Sequence, residues 1–110
     1  MHFLLKELKK HGKVTFYKGD LLDLNSLTNL FNKEQVDAVM HFAAFSQVGE
    51  SVANPQKYYI NNVCGTINLL KSIIAANVLK IVFSSTAATY GEPIYTPIDE
   101  KHPQNPINPY

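Results

Sequence analysis

The chain has 110 residues, of which 45% are hydrophobic and 17% are charged, and its formal net charge is +1. This size and composition fit one ordinary globular domain with a buried core, and they indicate no tail or linker. A net charge so close to zero gives no reason to expect nucleic acid or an acidic membrane surface as a partner. We therefore expect one domain over residues 1–110.

The single cysteine, Cys64, cannot form an internal disulfide, and no Cys or His lies near it at the spacing of a metal site. We expect it to be a small buried side chain on a helix, in a reducing compartment. The amphipathic run of residues 1–7 is too short for a signal peptide or a membrane span. These features predict a cytoplasmic protein without a bound metal.

The first third of the chain predicts a helix, a strand and a second helix. Residues 1–11 carry apolar side chains at helical spacing among lysines. Residues 14–17 are β-branched and aromatic and run into Gly19 and Asp20, which predicts a strand closed by a turn. Asn25 is predicted to cap the helix that follows.

The remainder predicts two buried strands on either side of a long helix. Residues 37–42 and 81–85 are short apolar runs of the kind found in parallel strands that helices cover on both faces. Asn54 and Pro55 predict a helix start, because the asparagine accepts from free amides and a first-turn proline loses no hydrogen bond. We expect this helix to reach Asn77. Five of the six prolines follow, in a loop.

Alternating helices and strands predict a doubly wound α/β sheet with parallel strands. In such sheets ligands bind beyond the carboxyl ends of the strands. Small or polar residues fall at each of these ends, at positions 19–20, 43–46 and 84–86. The sequence therefore predicts one wall of a binding crevice.

The four histidines lie in two kinds of context. His41 falls on a predicted buried strand, so we expect a hydrogen-bonded core residue rather than a catalytic base. His2, His11 and His102 have polar neighbours and are predicted to lie at the surface.

Five sequence runs occur in a fixed order: HFAA at 41–44, VGES at 48–51, YYINNVCGT at 58–66, FSSTAATYG at 83–91 and PQNPINPY at 103–110. Together they resemble the bacterial UDP-glucose 4-epimerase family of the extended short-chain dehydrogenase/reductase superfamily. The likeness covers essentially the whole chain at matching separations. It implies a partial Rossmann-like, NAD-binding domain that lacks the first two strands of the sheet and the C-terminal substrate domain.

The resemblance also implies where NAD would bind. Asp20 and Leu21 match the residues at the adenine end, although the residues alone also allow a turn-forming aspartate at position 20. Asn61 matches an asparagine near the cofactor, but a tolerated imperfection in a packed helix stays possible on sequence grounds. Small side chains along the dinucleotide would let the backbone approach it, and the matching segment is Phe42, Ala43, Ala44, Phe45 and Ser46. Many relatives have a lysine where Ser46 stands.

For catalysis, the resemblance assigns a hydroxyl and a phenol. Thr86 matches the catalytic serine or threonine and Tyr110 matches the catalytic tyrosine, and both would also contact NAD. In the family the tyrosine takes the proton from the sugar 4-hydroxyl while hydride passes from C4 to the nicotinamide. Hydride then returns to the opposite face of the 4-keto sugar, which interconverts UDP-glucose and UDP-galactose with NAD regenerated in each turnover. The resemblance allows a homodimer.

Two alternatives stay open on sequence grounds. Nucleotide-sugar dehydratases of the same superfamily place an Asp-Glu pair after the threonine, whereas Ala87 and Ala88 follow Thr86, which favours epimerisation. A non-catalytic nucleotide-binding or interaction module could use the same fold.

Two family features have no counterpart in the 110 residues. The family's lysine four residues after the tyrosine would fall beyond Tyr110, and no glycine-rich turn of the G-x-x-G-x-x-G type occurs. Because an ordinary phenol titrates near ~10, a catalytic phenolate needs positive charge close by. We expect the isolated chain neither to retain NAD nor to interconvert the two sugars.

Overall fold

The computed structural model describes residues 2–110, and it describes side chains from residue 5 onward. Helices occur with two short strands, one fewer than the three strands predicted. The elements are α1 (His2–Lys9), α2 (Leu24–Lys33), β1 (Val39–His41), α3 (Val48–Ala53), α4 (Pro55–Tyr58), a π-helical segment (Tyr59–Cys64), α5 (Gly65–Ala75), β2 (Ile81–Phe83) and a 3-10 helix (Ala87–Tyr90).

The sheet within the described residues consists of β1 and β2, which pair in parallel. The register sets Val39 opposite Ile81 and His41 opposite Phe83, and Ser84 N–H extends the ladder by donating to the His41 carbonyl at 3.0 Å. The chain leaves both strands in the same direction, so the segments after them lie at one edge. The predicted partial Rossmann-like α/β fold is confirmed.

The long helix begins where the sequence predicts. The Asn54 side chain accepts from Lys57 N–H at 3.4 Å, and Pro55 occupies the first turn. The helical path continues without a break through α4, the π-helical segment and α5. It ends two residues before the predicted end, and Asn77 follows with a φ of 56°, a left-handed conformation that asparagine tolerates after a helix.

The core lies where α5 packs on α2 and the sheet. Leu69, Ile73 and Val78 are buried, and partly buried apolar side chains from α2 and β1, among them Phe31 and Val39, pack against them. Burial of each such side chain is worth about 1.5–3 kcal/mol relative to exposure. This cluster fixes α5 against α2 and the beginning of β1.

Two predictions for the N-terminal half are wrong. Asp23, not Asn25, caps α2, because its carboxylate accepts from both the backbone N–H and the hydroxyl of Ser26, at 3.0 and 2.7 Å. These hydrogen bonds hold the pKa of Asp23 below its usual value. Residues 14–17 form no strand, because no described strand lies beside them to pair with their backbone. The one side-chain hydrogen bond described there joins the Tyr17 hydroxyl, as donor, to Glu34.

The expected covering of the last strand on both faces is also wrong. Ile81, Val82 and Phe83 keep relative exposures of 40%, 56% and 56%. A two-stranded sheet within the described residues leaves these side chains with few covering neighbours. No helix among residues 2–110 combines the length and apolar character needed to cross a membrane.

Candidate active site

A cleft of about 370 Å³ opens at the carboxyl ends of β1 and β2. Its size falls within the range of small-molecule sites. Five residues that the sequence assigned to cofactor or catalysis line it together: Phe42, Ala43, Ala44, Thr86 and Tyr110. The topology therefore gathers residues that are up to 68 positions apart in the chain, from 42 to 110.

Thr86 is held in a defined orientation at the edge of this cleft. Its backbone is extended, with φ −141° and ψ 148°, and its Oγ1 accepts from the Ala88 N–H at 3.1 Å as the cap of the 3-10 helix. This contact uses an acceptor site of the hydroxyl and leaves its proton available for donation. Thr86 can therefore donate a hydrogen bond to an oxygen in the cleft.

The loop that carries Tyr110 passes very close to the 3-10 helix. Asn105 N–H donates to the Thr89 carbonyl at 3.1 Å. Gly91 has a φ of 65°, and a Cβ there would lie 2.0 Å from the Asn105 carbonyl oxygen. Only glycine admits this approach, which brings Tyr110 to the same cleft as Thr86.

The segment after β1 is fixed by Asn62, a residue that the sequence interpretation missed. Its Oδ1 accepts from the Phe45 N–H at 2.9 Å, and its Nδ2 donates to the Phe45 carbonyl at 3.0 Å. Asn61, which the sequence interpretation selected, donates to Asn62 Oδ1 at 2.9 Å. Two adjacent asparagines inside a helix were the signal, but local sequence does not indicate which of them reaches the loop.

An ion pair and a buried tyrosine also hold the segment after β1. The Tyr58 side chain is 1% exposed; its hydroxyl donates to Glu50 at 2.8 Å and accepts from Gln47 N–H at 3.1 Å. Lys57 pairs with Glu50 and lies over the Phe45 ring. The Lys57 and Tyr58 hydrogen bonds lower the pKa of Glu50, whereas burial, followed by the bond to Glu50, raises the pKa of Tyr58.

A second cleft, of about 470 Å³, adjoins the first. Asp20 and Leu21 line it, and Ala43 lines both clefts. Asp20 Oδ1 accepts from the Leu22 N–H at 2.9 Å, so the aspartate does form the turn that was its alternative reading. The two clefts form one wall with Asp20 and Leu21 at one end and Thr86 and Tyr110 at the other.

Helix α5 positions this second cleft through two residues. Asn68 Nδ2 donates to the Leu21 carbonyl at 3.0 Å and lies 3.4 Å from that of Leu22. Gly65 lets the helix approach, since a Cβ there would lie 3.0 Å from Leu21 Cβ. The same helix therefore fixes the turn that carries Asp20.

Three of the proposed cofactor contacts line neither cleft. Phe45 packs its ring against Tyr58, with centroids 5.8 Å apart. Ser46, the next residue, is exposed, and the Asn61 side chain contacts Asn62. Their contact with a cofactor stays a prediction.

His41 is a buried core residue, as predicted. It is 5% exposed, its Nε2 lies 2.9 Å from the Thr66 hydroxyl, and burial lowers the pKa of its imidazole. Two other predictions are wrong: Cys64 is exposed at the end of the π-helical segment, and His102 is buried at 4% exposure beside the rings of Tyr90 and Tyr95. The side chain of His2 lies outside the described residues.

Comparison with known proteins agrees with this geometry. The family model described as GDP-mannose 4,6 dehydratase matches residues 2–110. The chain belongs to this family. Within the family it is 57% identical, over 97 residues, to a UDP-glucose 4-epimerase of Halalkalibacterium halodurans, which covers 88% of this chain and 29% of that protein.

Solved structures give the same result. A UDP-Glc/GlcNAc 4-epimerase from Campylobacter jejuni superimposes on the whole chain with a TM-score of 0.91 at 43% identity, and the match covers 33% of that protein. A UDP-glucose 4-epimerase from Bifidobacterium longum, solved with NAD+ and UDP, matches 96% of this chain and 32% of that protein with a TM-score of 0.90 at 41% identity. The resemblance to UDP-glucose 4-epimerases of the extended short-chain dehydrogenase/reductase superfamily is confirmed, and the chain spans about a third of the length of these relatives.

Proposed function

We propose that these residues form the cofactor wall and the Thr86–Tyr110 half of the active site in an NAD-dependent UDP-glucose 4-epimerase. The observation that carries this proposal is the continuity of the two clefts through Ala43. It sets the residues expected at the adenine end and those expected to act on the sugar along a single wall. The relatives whose names and bound molecules point to this reaction support it.

The wall suits an extended dinucleotide. Methyl side chains at Ala43 and Ala44 leave room for a ligand beside the backbone at its centre, and exposed Phe42 offers an apolar surface. Asp20 and Leu21 would hold the adenine end, and Thr86 with Tyr110 would face the nicotinamide end. Asn62 bonds both backbone groups of Phe45, and these two hydrogen bonds would hold the segment after β1, here called the Phe45 segment, in one conformation.

In the proposed reaction the chain's residues act at the sugar 4-oxygen. The Tyr110 phenolate oxygen takes the proton of the 4-hydroxyl, and the Thr86 hydroxyl donates a hydrogen bond to the same oxygen. Bound NAD, held by Asp20 and Leu21 at one end and by Thr86 and Tyr110 at the other, would supply reversible hydride transfer at either face of C4. Tyr110 then gives the proton back, so that neither the sugar nor the cofactor is oxidised overall.

Dehydration is the second candidate, because the matching family model carries that name. Removal of water from a sugar needs an acid or base beside the leaving hydroxyl. None of the residues lining the first cleft, all of them described, has a carboxylate side chain, and Ala88 lies where such a group would follow Thr86. This lining favours epimerisation, and the presence of a hydroxyl and a phenol in one cleft favours an enzyme over a non-catalytic module.

The complete protein is proposed to act in the cytoplasm as a homodimer, without nucleic acid or a membrane as partner. A stripe of exposed apolar side chains at helical spacing along the π-helical segment and α5 supports the dimer, since an unpartnered apolar stripe suits a second copy of the same helix. Its members are Ile60, Val63, Ile67, Leu70 and Ile74. Sedimentation of the complete protein and its Ile67→Lys variant would test this: the variant should be monomeric.

A hybrid enzyme tests the reaction. The Campylobacter jejuni structure matches the whole chain, so all 110 residues can replace the corresponding segment of that epimerase. With UDP-glucose the hybrid should form UDP-galactose, and Tyr110→Phe should lower kcat at least ~100-fold, with Thr86→Val lowering it by about tenfold to 100-fold. A folded, NAD-loaded hybrid that releases a product lighter by one water would favour dehydration. One that leaves the sugar unchanged would contradict both enzyme proposals.

A further inference from the structure

His102 is a buried titratable side chain that the proposed reaction does not use. It is 4% exposed and lies in the loop between the 3-10 helix and Tyr110. Tyr90 meets its ring edge-on at a centroid distance of 5.4 Å, and Tyr95 packs on it at 4.7 Å. A histidine enclosed in this way needs partners for both ring nitrogens.

Both nitrogens have partners, and those partners determine the tautomer. Ile94 N–H donates to Nε2 at 3.1 Å, so Nε2 must be unprotonated. Nδ1 lies 2.8 Å from the Pro103 carbonyl oxygen, which only accepts, so Nδ1 carries the proton. The imidazole, on the returning side of the loop, therefore joins that side to Ile94 on the outgoing side, and its bond to the neighbouring Pro103 carbonyl orients the ring.

Further contacts continue this attachment towards the cleft. The Asp99 carbonyl oxygen accepts from the His102 backbone N–H at 3.1 Å, and the Asp99 carboxylate accepts from the Tyr95 hydroxyl at 2.8 Å. Three residues after His102, Asn105 N–H reaches the Thr89 carbonyl on the 3-10 helix that Thr86 caps. The returning segment, residues 103–110, thus leaves His102 in a fixed direction and ends at Tyr110 in the cleft.

We propose that His102 is a positioning residue for Tyr110, acting through its hydrogen bond to Ile94 across the loop, with its ring oriented by the Pro103 carbonyl. This inference rests on the proposed epimerase function, and it adds a residue that touches neither substrate nor cofactor. The imidazole holds residue 102 beside Ile94. The hydrogen bond from Asn105 to Thr89 then holds the segment that leads to Tyr110 against the 3-10 helix. Loss of the ring's hydrogen bonds would leave Tyr110 present but less well aligned with Thr86.

Two substitutions separate the hydrogen bonds from the packing. His102→Phe keeps an aromatic ring between Tyr90 and Tyr95 and removes both hydrogen bonds, whereas His102→Gln can still accept from Ile94 and donate to Pro103. His11→Phe serves as a control, because His11 is exposed and lies far from the loop in sequence.

In the hybrid epimerase we expect His102→Phe to lower kcat by about tenfold with KM for UDP-glucose within about twofold of the parent value, since a reacting group displaced by a fraction of 1 Å loses rate rather than affinity. His102→Gln should restore most of kcat, and His11→Phe should match the parent. A parent-like kcat for His102→Phe, or a His102→Gln variant no faster than His102→Phe, would overturn the proposal.

Amide hydrogen exchange supplies a readout that does not need activity. In the 110-residue chain and in the hybrid, the Ile94 and Asn105 amides should exchange faster in His102→Phe and regain protection in His102→Gln. If the parent hybrid has no turnover, the epimerase proposal fails, and this exchange pattern alone decides the loop attachment. An Ile94 amide that exchanges freely in the unsubstituted protein would refute the role of His102.

Discussion

Gly91 lies where the backbone of the Tyr110 loop comes nearest to the 3-10 helix. Because its φ is 65° and a Cβ would meet the Asn105 carbonyl at 2.0 Å, substitution there brings both backbone strain and a steric clash. Gly49 offers a contrast, since it lies in α3 and a Cβ there would meet nothing within 4 Å.

We expect Gly91→Ala to lower the free energy of unfolding by about 2 kcal/mol or more, because strained backbone alone costs about 1–3 kcal/mol. Gly49→Ala should raise it by about 0.5–1 kcal/mol through the higher helix propensity of alanine. Urea denaturation of the two variants and the parent measures both changes. Equal stabilities for the two variants would show that the loop does not approach Gly91 as described.

The burial of His41 predicts that the stability of the protein depends on pH. Burial disfavours its imidazolium and lowers its pKa below the unfolded value, so the unfolded chain binds the proton more readily. Its contribution is therefore complete above the unfolded pKa of about 6.5 and falls as the pH drops below that value, until the lowered folded pKa is reached.

We expect the melting temperature to be lower at pH 5.5 than at pH 7.5. The difference should be smaller in His41→Asn, because asparagine cannot take up the proton. Thermal unfolding followed by circular dichroism at the two pH values measures the difference. His11→Asn, at an exposed position, should keep the parent's pH dependence. An identical pH dependence in parent and His41→Asn would contradict the burial of His41.

At the scale of elements, the long helical path from Pro55 to Ala75 organises the carboxyl edge of the sheet. It fixes the Phe45 segment through Asn62, the end of β1 through Thr66 and His41, and the Asp20 turn through Asn68. The predicted wall thus owes its shape to one helical element as much as to the strands.

Replacement of Asn62 by leucine should loosen the Phe45 segment. The change removes two hydrogen bonds and leaves the Phe45 backbone groups to find other partners, so we expect a loss of about 1–2 kcal/mol in the free energy of unfolding and faster exchange of the Phe45 amide. The same substitution at the neighbouring Asn61 should cost less, because Asn61 donates only to Asn62. A larger cost at Asn61 would contradict the assignment of the Phe45 backbone contacts to Asn62.

Local signals in the sequence accounted for much of this architecture. The Asn54–Pro55 start and the apolar runs that became β1 and β2 depend on neighbouring residues, and they were predicted correctly, although both strands are shorter than expected. The roles of Asn62 and His102 depend on partners 17 and 8 residues away, which periodicity does not identify. The prediction of a strand at residues 14–17 was wrong for a related reason. A strand needs a neighbouring strand to pair with, and β-branched side chains alone do not supply one.

At the scale of the whole molecule, the wall offers little enclosure. The apolar side chains of β2 and Phe42 are largely exposed, and the two clefts are open along one side of the described chain. An extended cofactor bound there would have protein on that one side only, and the sequence contains no glycine-rich turn to hold its phosphates.

We therefore expect the purified 110-residue polypeptide to carry no NAD and to leave UDP-glucose unchanged. Absorbance and mass analysis of the polypeptide after denaturation would measure bound NAD, and chromatography of the sugar nucleotides would measure turnover. The hybrid epimerase is the positive control for both assays. Stoichiometric NAD on the polypeptide would show that the wall alone suffices for binding.

The π-helical segment, Tyr59–Cys64, sets the rotational phase between two halves of one helix. Each residue of an α-helix turns the path by about 100°. The π-helical turn holds one residue more than an α-helical turn, so deletion of Ile60 would let the segment close as an α-helix with α4 and α5 still in phase. The wide turn therefore takes up a residue that would otherwise rotate α4 by about 100° relative to α5, and it keeps Tyr58 and Asn62 in contact with the same segment after β1.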